Sequence, residues 1–154
     1  MSGYTFKSEQ LLPIDIEHAW TFFSSPGNLA KITPPEMEFR ILTKLDGKDI
    51  YEGMHIEYIV RPLFGIPMRW KTEIGPTERL HSFMDKQIKG PYKVWEHTHT
   101  FTEVEGGVLM KDVVYYELPM GFLGDIAHRL LVRKKIEKIF EYRTKVLNSL
   151  FKSK

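Results

Sequence analysis

The C-terminal end of this chain constrains its fold more than any other segment. From about Asp125 to Leu150, apolar residues recur at helical spacing. Ile126, Leu130, Ile136, Ile139, Phe140, Leu147 and Leu150 fall on one broad stripe, with Arg133, Lys134, Lys138 and Lys145 mostly elsewhere. At about 1.5 Å per residue such a helix reaches about 39 Å. One with an apolar face needs a partner along its whole length, and a strongly curved sheet supplies one.

The residues before it read as that sheet. Tyr4 to Leu12 is a strand of mixed alternation. Pro13-Ile14-Asp15 changes the period, and Asp15 is placed as an N-cap for Ile16, Ala19, Trp20 and Phe23. Ser24-Ser25-Pro26-Gly27 breaks that helix. Asn28 to Ile32 forms a second short turn, stopped by Thr33-Pro34-Pro35. Strands are then expected over Phe39 to Leu45, Met54 to Arg61, Met68 to Ile74, Leu80 to Lys89, Lys93 to Val104 and Val108 to Leu118. Asp46-Gly47, Gly90-Pro91-Tyr92 and Gly106-Gly107 are tight-turn signals between them. Seven strands on short connections make an antiparallel sheet, and the element order is α+β. A length of 154 residues suits one core, so 1–154 is read as a single domain.

The chemistry concentrates on one strand, Trp95-Glu96-His97-Thr98-His99-Thr100-Phe101. Alternation puts Trp95, His97, His99 and Phe101 on one face. Two large aromatics beside two imidazoles describe an apolar interior with chosen polar groups, the usual construction of a small-molecule pocket. If Lys89 and Lys93 pair across Gly90-Pro91-Tyr92, Gln87 faces Trp95, Asp85 faces His97 and Phe83 faces His99. On the last strand Met110, Asp112, Val114, Tyr116 and Leu118 share a parity whose apolar majority points inward, so Asp112 is the odd group inside.

His97, His99, Asp85 and Asp112 are therefore candidate acid–base groups, since an imidazole titrates near neutrality and a carboxylate fixes its tautomer. Three readings stay open: polar groups that orient a ligand, a self-satisfied structural network, or catalysis. No serine sits in a strained elbow of the kind a Ser-His-Asp hydrolase needs. Two histidines at i, i+2 with a carboxylate can reach one ion, but no familiar zinc spacing appears. Neither a metal nor an organic cofactor is expected.

Tyr58, Trp70, Gln87, Trp95, Phe101, Tyr116 and Phe122 are candidate ligand contacts. Pro62-Leu63-Phe64-Gly65-Ile66-Pro67 is apolar where turns are usually polar, and Pro119-Met120-Gly121-Phe122-Leu123-Gly124 is similar. Leu63, Phe64, Ile66 and Met120 are candidate portal residues for a greasy ligand. The alternative is packing on the core, on a membrane or on a second copy in a homodimer.

The charge balance narrows the partners. Formal net charge is +2, which carries no nucleic-acid signature. Asp125 to Lys154 holds nine Lys/Arg against three Asp/Glu, a net of +6, leaving −4 elsewhere. Cations near a helix C-terminus suit its dipole, and a basic helix also permits peripheral contact with anionic lipid. With no cysteine, disulfides, thiolate metal sites and a cysteine nucleophile are excluded. No apolar run is long enough to cross a bilayer, and no secretory signal is visible, so a cytoplasmic location is expected.

In this order the elements resemble the START/polyketide-cyclase superfamily with its helix-grip fold, in the bacterial cyclase/dehydrase-like (SRPBCC) branch. Phe83-Met84-Asp85-Lys86-Gln87, Gly90-Pro91-Tyr92, the Trp95-to-Phe101 stretch, Leu109-Met110-Lys111-Asp112, Tyr116-Glu117-Leu118-Pro119 and Gly121-x-Leu123-Gly124 carry the resemblance. It implies a long helix gripped by a concave sheet with a cavity between them. It also implies a habit of binding a lipid, isoprenoid or polyketide-like molecule. The rival readings are a cyclase/dehydratase or hydrolase using the His/Asp wall, and a membrane- or protein-docking module.

Overall fold

The computed structural model describes residues 3–62 and 65–152. The expected portal residues Leu63 and Phe64 lie outside the described residues. Strand β1 (Tyr4–Leu12) leads into helix α1 (Ile16–Phe23). Asp15 caps α1 as the sequence suggests, its carboxylate accepting the His18 N–H at 2.7 Å. Two 3-10 turns follow, Pro26–Ile32 and Pro35–Met37, each opened by a proline whose missing N–H costs nothing there.

The strands are β2 (Arg40–Ile41), β3 (His55–Val60), β4 (Met68–Glu78), β5 (Ser82–Lys89), β6 (Val94–Val104) and β7 (Gly107–Glu117). With β1 they form a seven-stranded sheet in the order β1-β7-β6-β5-β4-β3-β2, antiparallel at every pairing. The register across Gly90-Pro91-Tyr92 matches the sequence reading: Asp85 stands opposite His97 and Phe83 opposite His99. On the other side of β6, His99 stands opposite Asp112 and His97 opposite Val114. Four functional candidates thus come from three adjacent strands.

Three elements differ from expectation, the first being β4, which runs past Ile74 to Glu78. The strand foreseen over Phe39 to Leu45 reduces to Arg40–Ile41, because Leu42 and Thr43 both donate to the Glu57 carbonyl and the ladder ends there. The C-terminal helix starts earlier than Asp125 and is not uniform. Helix α2 (Gly121–Ala127) passes through a π turn (His128–Val132) into helix α3 (Arg133–Leu150). The Arg133 N–H reaches the His128 carbonyl, the five-residue spacing of a π turn. No helix among the described residues is long and apolar enough to cross a membrane.

Helix α3 meets the sheet through Ile136, Phe140, Arg143 and Leu147, spaced by three and four residues. Leu147 joins Leu12, Trp20, Phe101 and Met110 in one core cluster, and Ile136 and Phe140 join Val114 and Tyr116 in another. The helix is therefore pinned at both ends of its buried face, and Arg143 sits between the pins. Leu147→Ala is expected to lower unfolding free energy by about 2–5 kcal/mol. Leu150→Ala, at a residue 48% exposed, should stay within about 0.5 kcal/mol. Urea unfolding followed by circular dichroism measures both.

Candidate functional site

Asp112 is the deepest charged group of the site, 2% exposed, held inward by the parity of β7. Its Oδ1 accepts a hydrogen bond from His97 Nε2 at 2.7 Å. His99 Nδ1 lies 3.3 Å and the Arg143 guanidinium 3.4 Å from the same oxygen. Asp85, one strand further along, accepts from His99 Nε2 at 2.8 Å and lies 3.9 Å from His97 Nδ1. The two imidazoles stack with centroids 3.7 Å apart, and Phe83 stacks on His99 at 4.1 Å. Arg143 lies against Phe23 and Phe140, its central carbon 5.5 Å and 5.6 Å from their ring centroids.

The electrostatics follow from this packing. Burial opposes charge on Asp112, but the Arg143 guanidinium and the two imidazoles overcome it, holding its carboxyl well below the usual range. For Asp85 burial is likewise outweighed, by the His99 hydrogen bond and the neighbouring cations, so it too is lowered. The histidines part company. Burial, then the charge of His99, pushes His97 down. On His99 burial is the largest influence and acts downward, but contacts with Asp112 and Asp85 outweigh it and raise this imidazole. The cluster therefore sets two carboxylates against the Arg143 guanidinium, with His99 biased toward its cation and His97 toward its neutral form. Opposite charges face one another, which is what makes such burial tolerable. His97 must donate from Nε2 to the ionised Asp112, so its Nδ1 keeps a free lone pair.

This cluster forms one wall of a cavity of about 200 Å³ between the sheet, the 3-10 turns and α3. A single water needs about 10–15 Å³ on the same measure, so the space holds more than a water or two. Asp85, His97, His99 and Arg143 line its polar side, while Ile56, Tyr58, Val60, Trp70, Ile74 and Trp95 line the apolar sheet side. Leu29, 37% exposed, also lines it, so the cavity opens beside the first 3-10 turn. Burial raises the phenols of Tyr58 and Tyr92 far above the ordinary tyrosine value, so both remain neutral hydroxyls.

Several expected contacts lie elsewhere. Gln87 closes the β5–β6 turn, donating to the Tyr92 carbonyl at 2.6 Å and accepting its N–H at 3.1 Å. Phe101 is packed by Trp20, Phe23 and Phe83 in the core cluster. Tyr116 sits under the π turn, its hydroxyl 2.7 Å from His128 Nε2. Burial raises its phenol to about 12. Phe122 and Met120 are 72% and 74% exposed at the start of α2, and Ile66 is 56% exposed; none lines the cavity. Among the described residues of the first expected gate loop, Pro62 lines the cavity.

Other lining residues are not among the site residues expected from the sequence. Arg143, Lys135 and Ile139 come from α3, and Met37, Phe39 and Thr33 from the segment after α1. Arg143 did leave a signal, a charge at a position that the spacing of Ile136, Phe140 and Leu147 assigns to the buried stripe. Asp85, His97 and His99 also present ligand atoms within 4.8 Å of one another, a spacing that one divalent ion would fit. Such an ion would compete with the proton of His99 and stand beside Arg143.

No protein-family model and no curated protein matches the chain. Solved structures do. The major latex-like protein 151 of Panax ginseng superposes with a TM-score of 0.71 at 14% identity, over 98% of this chain and 99% of that one. Protein CV1439 of Chromobacterium violaceum gives 0.70 at 15% identity, over 97% and 99%. Ara h 8.0201 gives 0.60 at 14% identity, over 96% and 99%. At these identities the likeness is one of fold. The chain shares with them the helix-grip fold.

Two measurements check the electrostatics. In an NMR titration the His99 ring should titrate above about 6.5 and His97 below it. The linkage signs are opposite. His99 contributes stability that is complete below about pH 6.5 and lost as pH rises through its folded value. His97 removes stability as pH falls below about 6.5 toward its lower folded value. Asp112→Ala, which strands Arg143 without its carboxylate, is expected to cost about 3–5 kcal/mol in urea unfolding.

Proposed function

We propose that the protein binds a small hydrophobic or amphipathic molecule in the cavity beneath α3. The observation that carries this is the composition of the wall. Apolar side chains from β3, β4 and β6 surround a compact set of convergent polar groups. Apolar contact supplies affinity at about 25 cal/mol per Å² removed from water, and the polar groups supply orientation. A core built only for stability gains nothing from leaving such a space open, because voids forfeit dispersion contacts.

One observation favours a second reading, acid–base chemistry on the bound molecule. His97 is held neutral beside two carboxylates, with its Nδ1 beyond hydrogen-bonding distance of Asp85. A base so placed can remove a proton from carbon next to a carbonyl. Octan-2-one in D₂O with the protein should then lose its α-proton NMR signals faster than in buffer, and His97→Gln should abolish the difference. Equal exchange with and without protein rejects this reading and leaves the binding reading standing.

For binding itself, the neutral dye Nile red should brighten on addition of protein and be displaced by octyl compounds. Ile139→Trp fills the cavity from α3 and should weaken dye binding at least about tenfold, with the circular dichroism spectrum unchanged. Unchanged dye affinity in a folded Ile139→Trp protein rejects the cavity as the binding site.

A further inference from the structure

Among the fully buried side-chain atoms without a hydrogen-bond partner, those that belong to cavity-lining residues are all nitrogens. Trp70 Nε1, His99 Nδ1 and Arg143 Nε are buried without a hydrogen-bond partner, and all three residues line the cavity. Trp70 Nε1 and Arg143 Nε are donors by chemistry. His99 Nδ1 carries a proton in the charged ring and approaches Asp112 at 3.3 Å without bonding geometry. Among the described residues no lining oxygen joins these orphans, and the one free acceptor beside them is His97 Nδ1. A buried donor left unmade is costly, so the missing partner is an acceptor.

Charge points the same way. Facing the cavity or paired behind it are Arg143 and Lys135 against Asp85 and Asp112, with His97 and His99 between them. The two fixed cations match the two carboxylates, and both carboxylates are already engaged by the imidazoles. Arg143 is 6% exposed, too deep to be neutralised freely by solvent ions, and its nearest carboxylate oxygen is 3.4 Å away. A guanidinium holds five donors in a fork that suits a carboxylate. The groups packed around it are Asp112 and His99 from the sheet and the rings of Phe23 and Phe140. The aromatic faces hold the fork in place while offering it no acceptor.

We infer that the molecule the cavity takes is an apolar monocarboxylic acid, seated with its carboxylate on Arg143 and its apolar part along Trp70 and Trp95. This rests on the binding reading above and narrows it to a class of ligand. Asp85 faces the same space and disfavours a second negative charge, which argues for one carboxylate rather than two.

The test uses the intact protein at pH 7 with Nile red as reporter and four eight-carbon competitors: octanoate, methyl octanoate, octan-1-ol and octylamine. Octanoate should displace the dye at least about tenfold more tightly than each of the others. In Arg143→Gln that preference should shrink to less than about threefold, while octan-1-ol affinity stays nearly constant. Octylamine or octan-1-ol binding as tightly as octanoate overturns the inference. So does methyl octanoate equal to octanoate, which would assign a neutral carbonyl. Retained octanoate preference in a folded Arg143→Gln protein also overturns it. If Arg143→Gln does not fold, the wild-type series decides alone. Dye binding with no displacement by octanoate rejects the acid and spares the cavity reading; no binding of dye or competitor rejects both.

Discussion

The Asp112 carboxylate is the contact on which this molecule turns. It is almost wholly buried on β7, one strand in from the sheet edge, where a lone negative charge is untenable. Its compensation comes from two directions: His97 and His99 from the neighbouring strand, and Arg143 from the helix laid over the sheet. The same atom thus ties helix to sheet and holds both imidazoles beside it. Because Asp112 must be satisfied, Arg143 is drawn below the helix surface. Because Arg143 is there, the interior next to it is polar instead of plain core.

That pairing also explains where the space lies. Leu147 and its neighbours fill one end of the interface, and Ile136 with Phe140 fills another stretch. Between the polar cluster and β3 the wall is lined by side chains from the 3-10 turns and short β2, and there the packing does not close. Short irregular elements offer fewer interdigitating side chains than a helix face does. The cavity is accordingly bounded by a regular sheet on one side and irregular backbone on the other.

Much of this was legible in the residues. A short turn at Gly90-Pro91-Tyr92 and a side-chain period of two suffice to align Asp85 with His97 and Phe83 with His99. Parity alone turned Asp112 inward. Parity did not say which inward residues would be covered. Tyr116 and Phe101 share the inner face, yet one is occupied by His128 and the other by Trp20, because the helices overlie those ends of the sheet. Arg143 escaped because stripe reading counts apolar residues, and a guanidinium interrupts the stripe even when it occupies the buried position. The walls from Thr33 to Phe39 lie in turns, where no period exists to read.

The strand order carries a consequence for how the chain is made. Among the described residues strand β1 sits at the sheet edge and pairs with β7, from Tyr4 opposite Tyr116 to Leu12 opposite Val108. Synthesis releases β1 before the edge it will complete exists. During that interval β1 is an unpaired amphipathic segment, open to mispairing with other nascent chains. Closure of so large a loop is entropically slow, so β1 is expected to dock late, on the millisecond-to-second scale typical of sheets with distant partners. The polar cluster on β7 is thus assembled next to a strand that arrives last, and its final desolvation waits on β1.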